Sequence, residues 1–249
     1  MTAVGIAVFA ASVWVVFWSP VLRVREVVVV GSKHVDSADV ARAAGLDSSD
    51  NLLLVSPGGV EDQVAQLPWV KRARVDRKLP GTVRVRIVER RPVMILSLHN
   101  ERWTLDGYGN VLTEGVSDAQ LPVLAAASIT KPEAGARLEA EEIQAALTAW
   151  RSLSKQVRSR VAAVLAPTPE RITLSLETGT QVRFGAAESL AAKNEVLEVL
   201  LAELDAEGRS VTYIDVRVPS SPALSPEAAA GEETSSAGPT PAPTPSPTD

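Results

Sequence analysis

The chain has 249 residues, of which 25 are basic and 30 acidic, for a net charge of −5, and it contains no cysteine. That excludes disulfides, thiolate metal sites and cysteine nucleophiles, and no basic field marks a nucleic-acid surface. The charge is uneven: residues 219–249 hold eight of the 17 prolines, no Lys or Arg, and four acids, Glu227, Glu232, Glu233 and Asp249. Without them, residues 1–218 carry 25 bases and 26 acids. A stretch so rich in Pro, Ser, Thr and Ala has too little apolar surface to offset its ordering entropy, so 219–249 is expected to be a disordered acidic tail.

At the other end, Ala3 to Trp18 carries no charge, and with Ser19 to Leu22 it reaches 20 residues, enough to cross a bilayer. Its eight strongly apolar residues favour insertion by about −2.5 to −5 kcal/mol as an upper bound. Trp14 and Trp18 suit an interfacial belt, and residues 1–22 are read as a transmembrane helix. A cleaved signal peptide wants a basic start and a small-residue cleavage site, and neither is clear. Arg23 and Arg25 follow the span while nothing basic precedes it, which sets the positive-inside rule against an exported body. A basic segment upstream of Met1 would reconcile the two.

Residues 23–92 read as one small module. Val24 to Gly31 is a β-branched strand ended by glycine. Asp36 or Ser37 caps a helix over Ala38–Ala44, and Ser56-Pro57 caps a second over Gly58–Gln66. Then come two alternating strands, Val70–Arg77 and Thr82–Val88, joined by Leu79-Pro80-Gly81. The order is β-α-α-β-β, with both helices on one face of the sheet. The expected core is Val28, Val30, Val40, Leu46, Leu53, Val64, Leu67, Val75, Val85 and Ile87.

Residues 93–218 read as a second, strand-rich unit. Val93–Leu98, Arg102–Leu105 and Val111-Leu112 surround the turn cluster Asp106–Asn110. Glu141–Leu153 is a helix with Ile143, Leu147 and Trp150 at i, i+4, i+7. Strands follow at Val161–Leu165, Arg171–Glu177 and Gln181–Phe184. A helix over Ala187–Ala206 ends at Gly208, and the last strand is Val211–Val218. The fold class is α+β, the second domain a mixed α/β unit with an antiparallel-rich sheet.

No catalytic constellation stands out. His34 and His99 read as loop residues. Glu89, Asp106 and Asp215 could supply paired carboxylates, but Asp106 is better explained as a turn residue and Glu89 as a solvated partner of the neighbouring arginines. No Ser–His–Asp order, phosphate loop or metal spacing appears, so the reading is no enzyme, no cofactor and no small-molecule substrate. The arginine face of the hairpin, with Arg72, Arg74, Arg84 and Arg86, could dock a protein or meet anionic lipid. The alternative is a plain solvated sheet face. Trp69 reads as a core anchor. The final strand, Tyr213, Ile214, Asp215, Val216, Arg217 and Val218, is expected to be an open edge that another chain can extend.

The order and several motifs resemble the bacterial division proteins of the FtsQ/DivIB family. Val27 to Gly31 is similar to the family's first strand. Trp69-Val70, Ala73, Val75, Arg77, Leu79-Pro80, Val83, Val85, Val88-Glu89 and Pro92 match its hairpin signature. Leu105-Asp106, Gly109 and Val111 resemble its turn, Leu121-Pro122-Val123-Leu124 its Leu-Pro element, and Lys193, Leu197 and Tyr213–Arg217 with Pro219 its closing helix and strand. Ala125 departs from the glycine usual there. The resemblance implies a POTRA domain over 23–92, an FtsQ-type β domain over 93–218 and a cytoplasmic N-terminus with the bulk outside the cell membrane. It also implies a scaffold at the septum that docks FtsB/FtsL-type coiled-coil partners and links them to peptidoglycan synthesis. The alternative is a POTRA-bearing component of protein export or outer-membrane assembly, which would want tandem modules or a β-barrel.

Overall fold

A computed structural model describes residues 5–6, 14, 22–98, 101–126 and 131–225. Most of the apolar segment 3–22, His99 and the tail beyond 225 lie outside the described residues. Among those described, no helix is long and apolar enough to cross a membrane.

The first module is a three-stranded sheet of β1 (Glu26–Val30), β2 (Val70–Lys78) and β3 (Thr82–Glu89) in the order β1-β3-β2. Helices α1 (Ser37–Ala43) and α2 (Pro57–Val64) precede the hairpin. Both helices begin where expected. Asp36 Oδ1 accepts from Ala38 N–H at 2.9 Å, and Ser56 Oγ accepts from Gly59 N–H at 3.3 Å with Pro57 in the first turn. β1 runs parallel to β3 with Val27 beside Val83 and Val29 beside Val85. That register corrects the expected core. Val27 and Val29 pack against the buried cluster, whereas Val28 and Val30 lie beside Arg84 and Arg86 on the outer face. Likewise Leu52 is buried and its neighbour Leu53 is exposed.

The second unit is a nine-stranded sheet in the order β12-β11-β10-β9-β8-β7-β4-β5-β6. Its strands are β4 (Pro92–Leu98), β5 (Glu101–Asp106), β6 (Val111–Glu114), β7 (Val123–Ala126), β8 (Val161–Ala166), β9 (Ile172–Leu176), β10 (Gln181–Gly185), β11 (Tyr213–Asp215) and β12 (Ala223–Leu224). Two parallel joins cross over through helices. α3 (Glu141–Ser152) and α4 (Lys155–Arg158) link β7 to β8, and α5 (Leu190–Glu207) links β10 to β11. One register row crosses seven strands: Leu96, Leu124, Val164, Leu174, Val182, Ile214 and Leu224. The first six are completely buried, and Ile143, Leu147, Leu197 and Leu201 from α3 and α5 belong to the same cluster. Burying each such side chain contributes about 1.5–3 kcal/mol, so this row is the spine of the domain. The next row on the opposite face is small or polar apart from the exposed Leu165: Ser97, Ala125, Leu165, Thr173, Arg183, Asp215 and Ala223.

α5 carries one departure from a simple apolar stripe. Lys193 is buried, and its ammonium donates to the carbonyls of Phe184 at 2.9 Å and Ala186 at 2.7 Å. These carbonyls flank the end of β10, so the lysine clamps the helix to the strand it leaves. Burial lowers its pKa, opposed by Glu188.

The module and the large sheet meet at one buried carboxylate. Asp106, 4% exposed, accepts at Oδ1 from the N–H groups of Tyr108 and Asn110 and from Asn110 Nδ2. Its Oδ2 takes Arg90 Nη1 at 3.0 Å, just past the end of β3. The turn role read from sequence holds, and the partner from the module is new. Arg90 is thereby turned away from the exposed arginine face of the hairpin. Removing this carboxylate takes the acceptor from the Tyr108 and Asn110 donors and from the partly exposed Arg90, a loss of about 1–3 kcal/mol. Asp106→Ala is expected to lose stability of that order in chemical denaturation, and a loss below about 1 kcal/mol would contradict the joint.

Candidate functional site: the corner of β10, β11 and β12

Three residues of the expected final strand form β11, and the strand is shorter and less exposed than Val211–Val218. β11 pairs parallel with β10, Gln181 beside Tyr213 and Arg183 beside Asp215. On its other side it pairs antiparallel with β12, Ile214 beside Leu224 and Asp215 beside Ala223. At this end of the sheet the edge strand among the described residues is therefore β12, not Tyr213–Val218. This also shortens the expected tail, because the chain stays in the sheet through Leu224 and Ser225 is buried. Ser225 holds the strand in place. Its Oγ accepts from the N–H groups of Thr212 at 2.8 Å and Tyr213 at 3.0 Å, and its own N–H donates to the Tyr213 carbonyl.

Alternation splits the six expected partner residues. Ile214 and Val216 are completely buried in the core, and Val216 N–H donates to the Arg183 carbonyl. Tyr213, Asp215, Arg217 and Val218 remain on or beside the outer face. There the Arg183 guanidinium lies 3.9 Å from the centre of the Tyr213 ring. Arg217 grips Asp215 with two parallel bonds, Nε to Oδ1 at 3.0 Å and Nη2 to Oδ2 at 2.7 Å. Arg217 holds the Asp215 carboxyl below its ordinary range against partial burial. The result is a preformed surface of one aromatic ring, two guanidiniums and one carboxylate beside an open strand. Sequence reading missed Arg183, whose place follows only from the parallel register of β10 with β11.

The other candidates resolve separately. Arg72, Arg74, Arg84 and Arg86 all lie exposed on the outer face of the module, where Arg74 stands beside Arg86, and Arg86 pairs with Asp76. Glu89 does not join them as a solvated partner. Its Oε1 accepts from the N–H groups of Lys33, His34 and Val35 at 2.6, 2.9 and 3.2 Å, and Oε2 meets His34 Nδ1 at 2.9 Å. The His34 ring stacks on half-buried Trp69, centroids 4.5 Å apart. Glu89, Asp106 and Asp215 are thus each committed to structural partners. Among the described residues, no three metal-binding side chains of His, Cys, Asp or Glu come together.

Two family models match the chain: the POTRA domain of FtsQ type over residues 22–90, and the C-terminal domain of cell division protein FtsQ/DivIB over residues 95–217. Cell division protein FtsQ of Streptomyces bingchenggensis is 30% identical, over 90% of this chain and 84% of that one. The chain belongs to the FtsQ/DivIB family of cell division proteins. FtsQ of Mycobacteroides abscessus is 32% identical over 76% of this chain and 59% of its own length, and FtsQ of Corynebacterium glutamicum is 24% identical over 79% and 86%. The chain thus spans less than two thirds of the mycobacterial relative. The solved extracytoplasmic domain of Geobacillus stearothermophilus DivIB aligns at 17% identity over 48% of this chain and 97% of that one, with a TM-score of 0.33.

The family's hairpin signature has its physical account in Glu89. Partial burial pushes its carboxyl up, but the Lys33 N–H, the His34 ring and the N–H groups of His34 and Val35 outweigh that and hold it at about 2, below the ordinary 4.5. Its contribution is therefore complete above pH 4.5 and fades as pH falls towards 2. Glu89→Gln should lose about 1–3 kcal/mol at neutral pH. Its stability should also fall less steeply than that of the wild type through this acid window. Parallel acid limbs in denaturation against pH would refute the role.

Proposed function

We propose that the chain is a non-catalytic, single-pass membrane scaffold of the division septum. Residues 3–22 cross the membrane, and the POTRA and β domains lie outside the cytoplasm. The scaffold docks an FtsB/FtsL-type pair at the corner of β11 and β12 and couples it to septal peptidoglycan synthesis. The observation that carries the reading is the open β12 edge beside a preformed Tyr213, Arg183, Asp215 and Arg217 surface. An open edge offers backbone N–H and C=O groups to an added strand. Tyrosine and arginine are the residue types that most often dominate binding energy. Family membership supports the division role over an export component. The arginine face of the POTRA module remains a second docking surface for other division proteins.

The reading requires no reaction. It assigns the protein a geometrical task, holding one partner at a fixed distance and angle from the bilayer. Two substitutions test the docking, with binding measured between the full chain and the partner pair of the same organism. Tyr213→Ala and Arg217→Glu should each weaken binding about ten-fold or more, the equivalent of 1.4 kcal/mol. Arg72→Glu, on the module's outer face, should leave this affinity unchanged. Unchanged binding in both corner variants would sink the assignment.

A further inference from the structure

The end of the POTRA module where the chain enters it is built unlike the rest of its surface. Three segments meet there. Leu52 N–H donates to the Leu22 carbonyl at 2.7 Å and Val24 N–H to the Asp50 carbonyl at 2.9 Å, while Arg25 N–H reaches the Gly81 carbonyl at 2.7 Å. Arg77 closes the group, its guanidinium donating to the Leu53 carbonyl at 2.8 Å. Gly81 is required in this packing, since a Cβ there would stand 2.6 Å from the Arg23 carbonyl oxygen. The junction is thus hydrogen-bonded from Leu22 onward, without a slack linker.

This end exposes leucines. Leu54 and Leu79 are each 69% exposed and Leu53 is 37% exposed. Singly exposed leucines are ordinary, but three on these joined segments, together with four cations on the same segments, are a composition that marks an interaction surface. The cations are Arg23, Arg25, Arg77 and Lys78, all exposed, against the acids Glu26, Asp47 and Asp50. Asp50 is partly engaged, accepting from Asp47 N–H.

We propose that this tip, residues 22–25, 50–54 and 77–81, seats in the headgroup layer of an anionic bilayer. Leu54 and Leu79 enter the interface, and Arg23, Arg25 and Lys78 meet lipid phosphates. The proposal rests on the reading that residues 3–22 cross the membrane. Leu22 lies only four residue steps beyond Trp18, so that stretch spans at most about 14 Å and the tip cannot stand clear of the surface. Interfacial elements bury apolar groups about 5–10 Å deep. Val30, at the far end of β1, lies four strand steps or about 13 Å from Glu26 and so remains in water. The lipid contact thus falls on the tip and leaves the arginine face free for protein.

The absence of cysteine in the sequence makes the test direct. Single cysteines at Leu54→Cys, Leu79→Cys and Val30→Cys carry an environment-sensitive fluorophore in the full chain. The chain is reconstituted in phosphatidylcholine vesicles with or without phosphatidylglycerol. With phosphatidylglycerol, labels at 54 and 79 should be quenched by brominated lipid and become several-fold less accessible to aqueous iodide, while the label at 30 stays open to iodide. Labels at 54 and 79 as iodide-accessible as the one at 30, in a chain that stays vesicle-bound, would overturn the tip contact and leave the span intact. Protection from iodide without quenching by lipid means that protein covers the tip, which also overturns it. Equal lipid quenching without phosphatidylglycerol removes the anionic requirement and contradicts the proposal as stated. A chain that fails to associate with vesicles would defeat both this inference and the membrane reading beneath it.

Discussion

Asp106 is the constraint on which the two halves of the structure depend. One carboxylate, almost sealed from solvent, folds the turn between β5 and β6 and accepts Arg90 from the end of the POTRA hairpin. Either task alone would leave a buried charge incompletely paired, which is costly. Together they make the direction of β4 a consequence of how β3 ends. Glu89, one residue earlier, ties the loop after β1 to the same strand end through three backbone N–H groups. Two adjacent residues of opposite charge thus fix one end of the module internally and the other half of the chain relative to it.

Given that joint, the large sheet becomes a lever with separate faces. Its inner row from Leu96 to Leu224 is sealed by α3 and α5, while the outer row, small or polar apart from Leu165, passes through the charged pair Arg183 and Asp215 before β12. The carboxylates that could have suggested catalysis are spent on architecture. Under the proposed scaffold role, what serves function is position: the entry tip of the module and the β12 edge of the large sheet.

Much of this was legible from the chain. The hairpin of β2 and β3 declares itself because alternating valines and arginines leave only one face that can be buried, and the helix caps Asp36 and Ser56 fall where their chemistry dictates. The failures share a cause in non-local pairing. Four successive valines from Val27 have no period, so their parity is set by the register with Val83 and Val85, far along the sequence. β12 is invisible in a Pro- and Ser-rich stretch because it is two residues long and held by Ser225 from outside the strand. Glu89 looks like one more charge on an exposed strand until the loop at Lys33–Val35 closes over it. The strand edge therefore lies one strand further out than the sequence suggests, and Arg183 beside Tyr213 carries no local signal.

The central claim is that the division partners are held at the β11–β12 corner by strand addition and the side chains beside it. Hydrogen–deuterium exchange on the full chain, with and without an FtsB/FtsL-type pair, tests it most directly. The account predicts that new protection concentrates in residues 213–225, strongest in β12, whose outward backbone groups have no partner among the described residues. Protection confined to the POTRA outer face around Arg74 and Arg86, with residues 213–225 exchanging as before, would contradict it.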